Sequence, residues 1–143
     1  MTLSDLSKSN AKKIAEFFKE NFSDGWTESM LVSAFNTDRF HAICIKEEEE
    51  IIGIVTFSYA GDTSDIEDIV IKKEERRKGY GNKLLSAAIC KIIADGMKRV
   101  MLEVREGNTF AIALYTKLGF TPLSVRKKYY SDGENALVMI REF

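Results

Sequence analysis

One histidine, His41, and two cysteines, Cys44 and Cys90, are all that the chain offers of those residue types. No Cys-x-x-Cys pair or histidine cluster occurs, which argues against a structural zinc site. Ser-His or Cys-His machinery has only His41 to draw on. Cys44 and Cys90 each lie in an apolar segment and read as buried, reduced thiols rather than as a secreted disulfide framework. No apolar run approaches the roughly 20 residues that span a bilayer, and the opening MTLSDLSKSN lacks the basic and apolar regions of a signal peptide. A cytoplasmic protein with no membrane partner is the expectation. An excess of charge is missing too. The net charge is -1, so the molecule as a whole is not built to bind nucleic acid, and only a local basic patch needs weighing. Apolar and charged residues are plentiful, at 45% and 30%, enough for one domain over residues 1–143 with a real core.

Periodicity supplies the elements. Apolar spacing at Ala11, Ile14, Ala15, Phe17 and Phe18 predicts a helix over Ser9–Asn21, broken by Ser23-Asp24-Gly25. Trp26 is expected to open a short helix around Met30, Leu31, Ala34 and Phe35. Strands follow at Phe40–Lys46, Ile51–Tyr59 and Ser64–Ile71, with Glu47–Glu50 as a solvated hairpin tip, and together they predict an antiparallel meander. Asn82–Asp95 reads as an amphipathic helix with Leu84, Leu85, Ala88, Ile89, Ile92 and Ile93 inward. A strand at Val100–Val104, a helix at Thr109–Leu118, and strands at Thr121–Tyr130 and Asn135–Arg141 complete the chain. The order is helices, meander, βαβα and a terminal hairpin, a mixed α/β domain.

The stretch Asp68–Leu85 combines a strand end, a charged loop and two glycines, Gly79 and Gly81, at a helix start. Unpaired N–H groups and the positive end of the helix dipole converge there, which suits phosphate. The loop is not a Walker A sequence, since Lys83 is followed by Leu84. Nor is it the dinucleotide fingerprint, whose third glycine would stand at Leu84. As a nucleic-acid patch it lacks an aromatic platform, and Glu74 and Glu75 dilute its charge. Glu103 stands in a strand expected inside the sheet. Its carboxylate needs either a salt bridge, for instance to Arg105 or Lys98, or an opening into a cleft where it acts as general base. Asn108 is a natural N-cap, and Tyr115 follows two turns later on roughly the same face. Spacing alone does not separate a core tyrosine from a functional one.

Arg76-x-x-Gly79-x-Gly81, Leu102–Phe120 (LEVREGNTFAIALYTKLGF) and Arg126–Ile140 (RKKYYSDGENALVMI) together resemble the GNAT superfamily of N-acetyltransferases, most closely its ribosomal-protein alanine N-acetyltransferase (RimI-like) group. The resemblance implies the GNAT fold, a mixed central sheet of about six to seven strands flanked by about four helices. It implies acetyl-CoA as donor and a primary amine as acceptor, most naturally a protein N-terminus such as that of a small-subunit ribosomal protein. By the same likeness, Ile69, Val70 and Ile71 would pair with the pantetheine arm, and an N–H near Ile69 would face the thioester oxygen. Arg76 and the N–H groups of Arg77, Lys78, Gly79, Tyr80, Gly81 and Asn82 would hold the pyrophosphate, and Asn108 would bond the cofactor. Glu103 matches the family's proton acceptor and Tyr115 its proton donor, while Tyr129 and Tyr130 fall where the family shapes its peptide cleft. Glu67 and Asp68 are the fallback bases. Met1–Ser9 offers only Met1, Leu3 and Leu6 toward the family's first strand, which is expected to be short or absent. Lys72-Lys73 replace the family's acidic residue and proline. A small-amine or lysine acetyltransferase, or a non-catalytic CoA-binding module, are the competing readings, and the protein is expected to be a monomer or homodimer.

Overall fold

The structure, a computed structural model, describes residues 1–22 and 26–143. The break expected at Ser23-Asp24-Gly25 lies outside the described residues. Seven strands form one sheet in the order β1-β2-β3-β4-β5-β7-β6. They are β1 (Thr2–Leu6), β2 (Phe40–Glu47), β3 (Glu50–Ala60), β4 (Thr63–Ile71), β5 (Arg99–Arg105), β6 (Thr121–Arg126) and β7 (Ala136–Glu142). The helices among the described residues are α1 (Ala11–Asn21), α2 (Glu28–Phe35), α3 (Tyr80–Ala94) and α4 (Thr109–Lys117). The expected meander is present, with β2, β3 and β4 antiparallel. The α3 crossover then makes β5 parallel to β4, and β7 and β6 return antiparallel beyond it.

Both faces of the sheet are covered, and this is why β2 reads as a continuous apolar run. Ile43 and Ile45 join Val55, Phe57, Leu102 and the inward face of α3 in one core. Ala42 and Cys44 turn to the other side, against Ile14, Phe18 and Leu31 of α1 and α2. The side chains of Phe18, Phe57 and Phe120 are essentially sealed from solvent, each contributing on the order of 1.5–3 kcal/mol through burial.

Several expectations need correction. The first strand exists and pairs along its length with β2, although four of its five residues are exposed. Backbone hydrogen bonding rather than burial makes it, so its side-chain pattern is weak. Ile93 is 45% exposed because the stripe Leu84, Leu85, Ala88, Ile89, Ile92 already fills the inward face. Cys90 lies off that stripe and is exposed, while Cys44 is buried as expected; both are free thiols. Trp26 precedes α2 rather than opening it, and the cap is Thr27, whose side chain accepts from Met30 N–H at 3.2 Å. The strand expected to reach Tyr130 ends at Arg126. Lys128 takes a left-handed φ of 52° and donates its N–H to Asn135 Oδ1 at 2.9 Å, which turns the chain before Tyr129.

Candidate active site

The sheet opens between β4 and β5. These strands pair only through Thr63–Arg99, Ser64–Val100 and Asp65–Met101. Beyond them β4 carries a bulge, since Thr56 faces Asp68 while Phe57 faces Ile66, leaving Glu67 as the extra residue. A bulge bends its strand and sharpens the twist, so β4 and β5 diverge. From Ile66 to Ile71 the side of β4 turned toward β5 therefore has no partner strand among the described residues. Apart from the Ile71 carbonyl, which accepts from Arg76 Nε at 3.1 Å, main-chain donors and acceptors stand ready there for a ligand.

A cavity of about 580 Å³ runs along this opening. Ile69, Val70 and Ile71 form one wall, the loop residues Arg76, Arg77, Gly79, Tyr80, Gly81 and Asn82 form its end, and Asn108 with Phe110 and Tyr115 of α4 forms the other wall. The loop is curved by two left-handed residues, Arg77 (φ 65°) and Gly79 (φ 87°). The first helical bond of α3 is Lys83 N–H to Gly79 C=O, 3.2 Å, so the N–H groups of Tyr80, Gly81 and Asn82 have no intrahelical acceptor. A Cβ placed on Gly81 would meet only Leu114 Cδ2, at 3.8 Å, leaving the approach to the backbone open. Arg76 lines this end of the cavity. Its guanidinium donates to the carbonyls of Ile71 (3.1 Å) and Asn21 (2.8 Å), tying the loop to the ends of β4 and α1. Lys78 does not line the cavity; its ammonium pairs with Glu75 at 2.9 Å. Asn108 caps α4 by accepting from Ala111 N–H at 3.1 Å, which leaves its amide NH₂ for the cavity. Tyr115 packs edge-on against Phe120, ring centres 6.1 Å apart, and burial pushes its phenol up to about 12.

A second cavity, about 480 Å³, lies between β4, β5 and the β6–β7 hairpin. Glu103 lines it with Asp65, Glu67, Arg126, Tyr129 and Tyr130. The ion-pair partner of Glu103 is Arg126, Nε to Oε1 3.3 Å, rather than Arg105 or Lys98. Arg105 instead fixes the hairpin, pairing with Asp132 (2.8 Å) and Glu134 (3.0 Å) and capping the Tyr130 ring at 4.0 Å. Tyr129 and Tyr130 pack edge to face, 5.2 Å between centres. Hydrogen bonding toward the Glu103 carboxylate, and its charge, raise the Tyr129 pKa. Tyr130 is raised chiefly by burial, with the Arg105 cation opposing, and its charge in turn bears on Tyr115. Tyr115 lines the first cavity and Glu103 the second.

The fallback carboxylates divide. Loss of hydration raises Glu67, with Ser58 opposing and Asp68 and Asp65 adding to it, and Glu67 stays in the second cavity. Asp68 lines neither cavity. It accepts from Trp26 Nε1–H at 2.7 Å, and burial raises its pKa despite that bond. A carboxyl with a folded-state pKa above its unfolded value penalises the folded state above that pKa, and the penalty is gone below the ordinary value near 3.9. Asp68→Asn keeps an acceptor for Trp26 and removes the charge. Thermal melts are therefore expected to show a higher Tm than the parent at pH 7, with the advantage fading as pH falls toward about 4. An advantage that persisted at pH 4 would contradict this account.

His41 lies outside both cavities, between the rings of Phe57 (5.4 Å) and Tyr59 (4.5 Å), with its pKa lowered by burial. No metal-holding cluster of His, Cys, Asp or Glu occurs among the described residues, and no helix there is long and apolar enough to cross a membrane. Arg126, Asp65, Phe110 and the bulge at Glu67 were not singled out by the sequence. Arg126 and Asp65 stand in segments expected as strands, where a lone charge reads as a solvent-facing position.

The Acetyltransferase (GNAT) family model matches residues 11–120. A Bacillus subtilis protein named as a candidate ribosomal protein bS18-alanine N-acetyltransferase is 31% identical over 88% of this chain and 85% of its own length. The ribosomal protein bS18-alanine N-acetyltransferase of Haemophilus ducreyi is 35% identical over 65% of the chain and 67% of its own. The crystal structure of the ribosomal-protein-S18-alanine N-acetyltransferase from Escherichia coli superposes with a TM-score of 0.89 at 26% identity, covering 99% of this chain and 92% of that one.

Proposed function

The chain belongs to the GNAT family of acetyltransferases, and on that footing we propose that it acetylates a protein N-terminal α-amine, with ribosomal protein bS18, the acceptor named for its relatives, as the natural candidate. The observation that carries this is a cavity on each side of the region where β4 and β5 diverge, one lined by the unpartnered Ile69–Ile71 backbone and Tyr115, the other by Glu103. Acetyl-CoA supplies an activated acetyl thioester. The residues fit it: the unpartnered edge of Ile69–Ile71 for the pantetheine arm, the N–H groups of Tyr80, Gly81 and Asn82 for the pyrophosphate, and the free amide of Asn108 beside them.

Glu103 takes a proton from the acceptor ammonium, directly or through one water, so that the nitrogen lone pair is available. The main-chain N–H at Ile69 offers a donor where negative charge develops on the carbonyl oxygen. Tyr115, at about 12, keeps its proton through the neutral range and presents an O–H to the departing sulfur. Full transfer to a thiolate of ordinary pKa, near 8.5, is uphill by roughly 5 kcal/mol. Hydrogen bonding to the sulfur in the transition state is therefore the larger part of its role. Tyr129, 49% exposed at the mouth of the acceptor cavity, gives a peptide an aromatic surface beyond its first residue.

A small cationic amine is the second reading, favoured by the three carboxylates Asp65, Glu67 and Glu103 in that cavity. Incubation with acetyl-CoA and a panel of N-terminal peptides, polyamines and lysine-containing peptides, read by mass spectrometry, separates the two. Modification confined to small amines or lysine side chains would sink the N-terminal assignment. Binding of CoA without turnover on any amine would indicate a non-catalytic module.

A further inference from the structure

We propose that Arg126 occupies the Glu103 carboxylate when no acceptor is bound, and that the ammonium of the acceptor exchanges for its guanidinium. The inference rests on the reading of this cavity as the acceptor site. Both cations seek the same oxygen lone pairs, and Arg126 Nε already stands 3.3 Å from Glu103 Oε1. The pair is placed for exchange. Arg126 ends β6, an edge strand exposed along its length, and its side chain is 57% exposed against 30% for Glu103. A partly exposed pair of this kind is weak, whereas a desolvated one would lock the carboxylate away from any substrate.

A tethering role for Arg126 is already filled by another residue. Arg105 holds the hairpin through Asp132 and Glu134, and the Glu134 carboxylate also accepts from Gly107 N–H at 2.8 Å. The displaced guanidinium has places to go within the same cavity. The Tyr129 ring is 5.5 Å away, suited to a cation over its face. Asp65 lines the same wall and already feels the Arg126 charge, which opposes the burial and the Glu103 charge that raise its pKa. Arg126 is therefore a positioning residue. It keeps Glu103 paired between turnovers and yields it to a cation, and to a neutral ligand it yields nothing.

The test compares the parent chain, Arg126→Ala and Arg126→Lys. Binding of an alanine-starting peptide to the CoA-loaded protein is measured by calorimetry, alongside kcat and KM at pH 8. A desamino peptide, identical but for the missing ammonium, serves as the neutral probe. Removing the competitor should tighten the amino peptide roughly two- to five-fold, the range an exposed ion pair supports. KM should fall to match and kcat stay within about two-fold, while Arg126→Lys remains close to the parent. The desamino peptide should be indifferent to the substitution. Unchanged or weaker binding of the amino peptide by Arg126→Ala, or equal tightening of both peptides, would overturn the exchange. A parent chain that neither binds nor acetylates any amino peptide would instead overturn the functional reading itself, and the exchange with it.

Discussion

Glu103→Gln is expected to lower kcat/KM for an N-terminal peptide by roughly 10²–10⁴-fold near neutral pH, the usual contribution of a positioned base. Glutamine keeps the shape of the side chain and removes the proton acceptor. It also breaks the pair with Arg126, but that pair is partly exposed and worth about 1 kcal/mol or less, so the variant should fold. The pH profile carries the sharper content. An α-amine has an ordinary pKa of about 7.7–8.0. At pH 6 only a few per cent of an acceptor is free base, whereas at pH 9 most of it is. If Glu103 takes the ammonium proton, the deficit of the variant is largest at pH 6 and shrinks steadily toward pH 9, where solvent has already done that work. Initial rates across this range with a single peptide settle the matter. A deficit that is constant with pH, or smaller than about five-fold at pH 6, would remove Glu103 from the proton transfer and return attention to Glu67, which shares its cavity.

Phe120→Ala should be the most damaging single truncation next to the site. The ring is 1% exposed in the core beneath α4, and truncations of this kind cost about 3–5 kcal/mol. Against a total stability of about 5–15 kcal/mol, that lowers Tm by something on the order of 10 °C. Phe120 is also the ring against which Tyr115 packs, and its N–H donates to the Tyr115 carbonyl at 3.0 Å. Loss of the ring should therefore loosen the phenol as well as the core. Phe18→Ala is the control. It empties a comparable site, 0% exposed, in the opposite core against α1 and α2. Urea melts should show similar losses for the two variants. Activity per folded molecule, measured well below the melting range, should fall for Phe120→Ala and hold for Phe18→Ala. Equal activities would mean that α4 positions Tyr115 without help from the core.

Much of this architecture is legible in the sequence, for reasons that differ from element to element. The inward stripe of α3 and the alternation of β5, where Val100, Leu102 and Val104 are buried and Met101 and Glu103 are not, follow from helical and strand periodicity. The glycine loop announces itself because Gly79 needs a left-handed φ and because a helix start leaves donors free. β1 is nearly silent, since its pairing with β2 uses main-chain groups that every residue carries. The bulge at Glu67 is silent as well: an extra residue within DIEDIV changes the register without changing the composition. Arg126 is visible as a charge, but its partner lies 23 residues earlier in the chain, brought close only because β5 and β7 pair and β7 carries β6 beside them. The pairing partner of a charge is a property of topology, which no local pattern encodes.

The three residue pairs that join β4 to β5 make a short seam between a four-strand and a three-strand half of the sheet. On the proposed reading, a donor lying along the unpartnered backbone from Ile66 to Ile71 would bridge the two halves and would link the cohesion of the protein to donor supply. At a free donor concentration a hundred times its Kd, mass action adds about 2.7 kcal/mol to folding. Donor-starved cells would then hold a chain that opens along this seam more readily, a difference that limited proteolysis with and without CoA would reveal.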